Sequence, residues 1–198
     1  KNLAKLEVQA ENPQEASKLL TALVEAHPED GEAAVLLARV QVRLDGEKTA
    51  SRTLEQALER NPSALSVRME LAKMYARAGQ YGRVIEVTRD LGNKEFTQEP
   101  ALLELRAKAQ LATGDVVSGQ SAFKQLLEMV PESAPAHFAY SESLARGGNK
   151  AEASAELKRA LELDRSYLPA RVGEIRLFVL DNDLDGARER LAALRKEF

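Results

Sequence analysis

The sequence predicts an all-α solenoid built from helix–turn–helix units, and three observations predict it. The first is a period. Ala16, Ala50, Ala153 and Ala187 fall 34, 103 and 34 residues apart, with Val84 and Gly119 filling the two open slots of the middle gap. Each is followed four residues later by a larger side chain: Leu20, Leu54, Thr88, Phe123, Leu157 and Leu191. A second series, Ala4, Ala38, Ala72, Ala107 and Ser141, runs twelve residues ahead of the first. Small residues repeating at about 34 residues indicate an array of helical hairpins. The second observation is the glycines at 46, 79, 114 and 148, each where a first helix must end. A residue without a Cβ takes the left-handed cap conformation at least cost. The third is that all seven prolines stand at helix boundaries and none interrupts a helical run.

These marks divide residues 1–198 into a single array of six units: 1–30, 31–64, 65–99, 100–133, 134–167 and 168–198. In the first, Asn12 takes the turn position and Pro13 opens the second helix, where its missing N–H was unpaired anyway. In the second, Ala34, Leu37, Ala38 and Gln41 mark one helix face, Asp45-Gly46 turns the chain, and Ala50, Leu54, Ala57 and Leu58 mark the next. That spacing is helical. Pro28 and Pro62 close the second helices of these two units. The third unit departs from the pattern: residues 91–100 lack a closing proline, and Gly92-Asn93 is expected to end its second helix early, leaving a looser seam. Pro100 opens the fourth unit and Pro131 closes it, Pro135 opens the fifth, and Pro169 opens the sixth, which turns at Asn182. The last helix finishes near Phe198 with Leu191 and Leu194 expected to face nothing, as in a piece of a longer array.

Composition narrows the function classes. A hydrophobic content of 44% with 30% charged residues suits a folded helical protein. The net charge of −3 gives no reason to expect nucleic acid, and no apolar run is long enough for a transmembrane segment. With no cysteine there is no disulfide framework, thiolate metal site or thiol nucleophile. His27 falls in an inter-unit loop and His137 at a packing slot, so no nucleophile–base pair is indicated, no cofactor motif is present, and no enzyme is expected. Asp181-Asn182-Asp183-Leu184-Asp185-Gly186 matches half of a calcium loop. The twelfth position, where calcium needs a bidentate Glu, holds Ala192, so the segment reads as a turn.

The residues resemble the tetratricopeptide repeat family. Leu71-Ala72-Lys73-Met74-Tyr75-Ala76-Arg77-Ala78-Gly79 is similar to its first-helix pattern, and Ala153, Leu157 and Ala160 to its second. Departures are Arg106 and Glu174 where Leu is usual, and Gly119 where Ala is usual. The large aromatic often found near the start of a unit is replaced by Ala34, Arg68, Leu103, His137 and Arg171. The resemblance implies a right-handed superhelix acting as a protein–protein interaction scaffold, with first helices lining a concave groove. It further implies that the ninth and thirteenth positions of each unit face that groove. Of these, Lys5, Arg39, Arg43, Lys73, Arg77, Lys108, Arg146 and Arg176 are basic, and only Glu142 is acidic. Lys and Arg are also good helix formers on any solvated face, but a one-signed stripe concentrates an oppositely charged ligand. The expected partner is therefore an acidic protein or peptide, with an anionic polysaccharide as the alternative. Val35, Met69, Phe138 and Val172, at the fifth positions, are expected to form an apolar floor, with Phe138 the best single contact.

Segments 131–138 and 161–170 further resemble bacterial repeat lipoproteins encoded with exosortase and exopolysaccharide systems. That resemblance implies a periplasmic or outer-membrane-anchored setting in an envelope assembly; a cytoplasmic adaptor is the alternative.

Overall fold

A computed structural model describes residues 12–197. These form helices α1 (Pro13–Ala26), α2 (Gly31–Leu44), α3 (Glu47–Arg60), α4 (Leu65–Arg77), α5 (Tyr81–Thr88), α6 (Asn93–Gln98), α7 (Pro100–Ala112), α8 (Val116–Met129), α9 (Ala134–Arg146), α10 (Lys150–Leu163), α11 (Leu168–Leu180) and α12 (Leu184–Arg195). No strand is present among the described residues, and none of their helices is long and apolar enough to cross a membrane. The chain is an α-solenoid of stacked helical hairpins. It divides into two compact units, residues 1–105 and 106–198.

The helix boundaries follow from local chemistry. Asp30, Asp115, Ser133 and Asp183 each accept a hydrogen bond from the backbone N–H three residues on, at 2.9–3.3 Å. Such caps satisfy donors that the first turn leaves unpaired. At the hairpin turns Gly46, Gly79, Gly114 and Gly148 have φ between +69° and +89°, and among the described residues Asn182 alone of the non-glycines is left-handed, at +60°. Asn12 does not share that conformation. Its φ is −103° and its side chain caps α1 through Glu15 N–H.

In the first unit, α2 packs against α1, α3 and α4, and α4 also contacts α3 and α5. The core begins with Ala16, Leu20, Leu37 and Val40 and continues through Ala50, Leu54, Leu71, Ala72 and Val84. Full burial of each Leu contributes about 1.5–3 kcal/mol before conformational entropy is subtracted. The seam expected at 91–100 has a different structure. Helix α5 already stops at Thr88, and α6 follows as an extra single turn that buries Phe96. Thr88 turns its hydroxyl back onto the Val84 carbonyl at 2.8 Å, and the Glu95 carboxylate accepts from Gly92 N–H at 3.0 Å to start α6.

In the second unit, α9 packs on α8, α10 and α11, while α11 lies against α10 and α12. Ala134, Leu157, Ala160 and Ala170 form the centre, with Phe138, Leu161, Tyr167 and Leu177 packed around them. Ser141 donates from its hydroxyl to the Ala153 carbonyl at 2.6 Å, joining α9 to α10. Gly119 explains its own departure from alanine. A Cβ there would lie 2.7 Å from Leu111 Cγ and 3.1 Å from the Ala107 carbonyl oxygen. Leu191 is 46% exposed, but Leu194 is buried. Leu194 falls two turns after Ala187 on the same stripe, so it shares that residue's inward face.

Candidate functional site

On α2, Arg39 and Arg43 stand one turn apart, and on the adjacent α4 Lys73 and Arg77 repeat that arrangement. Residues four apart share a helix face, so the four side chains form one patch on the first-helix side of unit one. All four are exposed. Arg39 donates to Glu70 on α4 at 3.0 Å, which neutralises it. Among the described residues Arg43, Lys73 and Arg77 have no acid within ion-pair distance. Three uncompensated cations on two packed helices therefore make this an anion-attracting surface.

Unit two brings Phe138, Arg146 and Arg176 around one cavity of about 200 Å³ between α9 and α11. Arg176 donates to Glu142 at 2.9 Å, whereas Arg146 has no ion pair among the described residues. Phe138 meets the Tyr167 ring edge-on at 5.8 Å between centroids. It can lie so close to α11 because residue 173 is glycine, whose Cβ would sit 2.9 Å from Phe138 Cε2. Lys108 is exposed on α7. Lys5 lies outside the described residues.

The apolar floor is not formed as expected. Val35 and Met69 are 8% and 7% exposed and belong to the core. Helix α2 is covered by α1, α3 and α4 together, so its buried face is wider than a single stripe and takes in the fifth position. Val172 is exposed, and Phe138 is half-buried against the core.

The fourth position of a unit carries a role that sequence reasoning missed. Where an aromatic is usual, Arg68 is buried with all five N–H donors engaged. Its guanidinium meets Asp90 through two bonds, at 2.7 and 2.8 Å. It also donates to the Pro62 carbonyl at 3.0 and 2.8 Å and the Val87 carbonyl at 2.6 Å. His137 repeats the arrangement, with Nδ1 2.6 Å from Glu156 and Nε2 3.0 Å from the Pro131 carbonyl oxygen. Arg171 holds Glu197 in a two-pronged pair, one arm at 2.8 Å. That hydrogen-bonded pairing keeps the Glu197 carboxyl below the usual carboxylate range. The available signal was three nitrogen donors recurring at one register position. Their acidic partners, on the following helices and turns, were out of sequence view.

No catalytic arrangement emerges among the described residues. Both ring nitrogens of His137 are engaged, and His27 sits exposed 3.6 Å from Glu29. Tyr75 donates to Glu55 at 2.6 Å beneath Arg83, whose guanidinium lies 4.3 Å from the ring centroid. Burial first, and then the Glu55 hydrogen bond, push the Tyr75 hydroxyl above its ordinary range, so it stays protonated. In the 181–186 segment Asp183 caps α12, Asp181 pairs with Lys150 at 3.4 Å and Asp185 with Arg188 at 3.3 Å. No group of three potential metal ligands gathers among the described residues.

The sequence matches the tetratricopeptide repeat family over residues 1–49, 48–83 and 104–167. No curated protein matches the chain. Solved structures resemble it in fold. PilF of Pseudomonas aeruginosa aligns with 100% of this chain and 89% of its own, at a TM-score of 0.73 and 16% identity. MamA of Desulfovibrio magneticus RS-1 gives 84% and 94% coverage, a TM-score of 0.68 and 17% identity. YrrB, described as a tetratricopeptide repeat protein with an unusual peptide-binding site, gives 87% and 89% coverage, a TM-score of 0.68 and 17% identity.

Proposed function

The chain belongs to the tetratricopeptide repeat family and is a protein–protein interaction scaffold, and we propose that its first-helix surface holds an acidic protein or peptide segment. One observation carries this reading. Arg43, Lys73 and Arg77 project from adjacent first helices with no acid among the described residues to neutralise them, in a chain that has more acids (31) than bases (28). Exposed charges of this kind steer association and set register. Each contact is worth only about 0–1 kcal/mol, so the affinity must come from several together. Arg39 contributes less because Glu70 already occupies it.

The test is a fluorescein-labelled peptide of Glu and Leu residues followed by anisotropy. Reversing Arg43, Lys73 and Arg77 to Glu should weaken binding by more than tenfold at low salt and flatten its salt dependence, while the melting temperature stays within a degree or two. Unchanged affinity in the triple variant sinks the proposal. The same cations support a second reading, an anionic polysaccharide. An alginate oligosaccharide that binds where the peptide does not would select it.

The setting we propose is a bacterial envelope assembly tied to exopolysaccharide or protein sorting, supported by the phrasing of segments 131–138 and 161–170. Recovery of the native protein from the periplasmic or outer-membrane fraction is the expected result. Recovery from the cytosol selects the adaptor reading.

A further inference from the structure

Unit two contains a second cavity, of about 410 Å³, between α10 and α11. It is separate from the one beside Phe138 and shares only Leu157 and Leu177 with it as a common wall. A volume of this size falls within the range of about 300–1,000 Å³ typical of ligand pockets.

Its floor is apolar: Leu157, Leu161, Leu177 and Phe178. The floor is also fixed. Leu157 belongs to the central cluster, with Leu161 and Leu177 packed on it. Phe178 lies under the Arg190 guanidinium at 5.6 Å and so close to residue 186 that only glycine fits there. No side chain has to move far to admit a ligand.

The rim decides the kind of ligand. Three acids line it, and each already has a cation: Glu162 with Arg159 at 3.6 Å, Glu174 with Arg190 at 3.3 Å, and Asp181 with Lys150 at 3.4 Å. Two bases line it, Lys158 and Arg165, both exposed, and among the described residues neither has an acid partner. The last turns of α10 present Leu157, Lys158 and Leu161, and the turn after it adds Arg165, so apolar contact is flanked by uncompensated positive charge.

From this we infer a second docking slot, distinct from the first-helix surface. It takes an acidic segment that inserts a bulky apolar side chain into the floor and sets flanking carboxylates on Lys158 and Arg165. The apolar insertion supplies most of the free energy through area removed from water, and the two charges select the sign and orientation of the ligand. The slot stands on its own residues and does not rest on the groove reading. A scaffold with two such surfaces can hold two partners, or two stretches of one partner, whose affinities then reinforce each other.

The chain has no cysteine, so Ser154→Cys, an exposed position at the edge of the slot, accepts a single environment-sensitive dye. The probe is the synthetic peptide Glu-Glu-Leu-Phe-Glu-Glu, blocked at both ends. A saturable blue shift is expected, with calorimetry on the unlabelled protein checking that the dye does not fill the slot. The Lys158→Glu/Arg165→Glu variant, and a probe with Lys in place of each Glu, should each weaken binding by roughly tenfold or more. The Arg43, Lys73 and Arg77 reversal should leave the dye response intact. No saturable response up to about 1 mM, the weak end of specific binding, overturns the inference. So does equal affinity for the two probes, or loss of the dye response only in the first-helix variant. A concentration-dependent dimer in sedimentation that Lys158→Glu/Arg165→Glu dissolves would assign the slot to a second copy and also overturn it. None of these results bears on peptide binding at Arg43, Lys73 and Arg77, which its own variant decides.

Discussion

Removing the Asp90 carboxylate should destabilise the first unit even though that side chain is mostly in water. Asp90 is 65% exposed, but the Arg68 guanidinium it grips is only 6% exposed. In Asp90→Ala the buried cation loses two of its five hydrogen bonds and keeps the Pro62 and Val87 carbonyls. Stripping a partner from a fully buried pair costs about 3–5 kcal/mol. Here water can reach the side that Asp90 vacates, which reduces the cost to about 1–2 kcal/mol. Arg68→Ala removes the charge but leaves both carbonyls short of donors and opens a cavity, so about 3–4 kcal/mol is expected. Arg68→Met keeps much of the volume and should fall between the two. Because the residues act through one contact, Arg68→Met/Asp90→Ala should cost less than the sum of the singles, with a coupling of about 1 kcal/mol. Urea denaturation measures all four free energies. Hydrogen exchange adds the location, since the amides of 88–92, at the end of α5, should lose protection first. An Asp90→Ala variant within about 0.3 kcal/mol of the parent, the limit of additive behaviour, would show that the carbonyls alone hold Arg68.

Two further outcomes are expected. Ala153→Leu should cost about 1–3 kcal/mol by overpacking the contact that Ser141 bridges; Ala155→Leu, on the exposed side of the same helix, should cost much less, and equal melting shifts would mean the helix register is wrong. Asp115 and Asp164 are both held below the usual carboxylate range, chiefly by the hydroxyls of Ser118 and Ser166. Because their folded pKa is the lower one, they stabilise the protein above about pH 5 and lose that contribution as the pH falls below about 4. Melting temperature measured across that range should drop more steeply in the parent than in Asp115→Ala, and parallel curves would remove Asp115 from the account.

The turns were legible in sequence because their cause is local. Gly46, Gly114 and Gly148 adopt the left-handed φ that a helix end needs, and no distant residue can alter that requirement. Asn12 resembled them only in position, since its side chain found a capping role with Glu15 three residues away. The first-helix cations were legible as a list of residue types, but their net effect was not. Whether Arg39 acts as a free charge depends on Glu70, 31 residues away, and whether Arg176 does depends on Glu142, 34 residues away. Lys158 and Arg165 raise the same question. They matter because Arg159, Arg190 and Lys150 reach the neighbouring acids first.

By itself the sequence determined the hairpin repeat and most of the helix ends, through a period, caps and turn residues that operate within a few positions of one another. Tertiary structure decided what those helices present. It drew Val35 and Met69 into the core by covering α2 and α4 on several sides. It made Arg68 a clamp by closing Pro62, Val87 and Asp90 around it. The physical reason is range: backbone conformation answers to neighbours in sequence, whereas burial and charge compensation answer to whatever packing brings within a few ångströms.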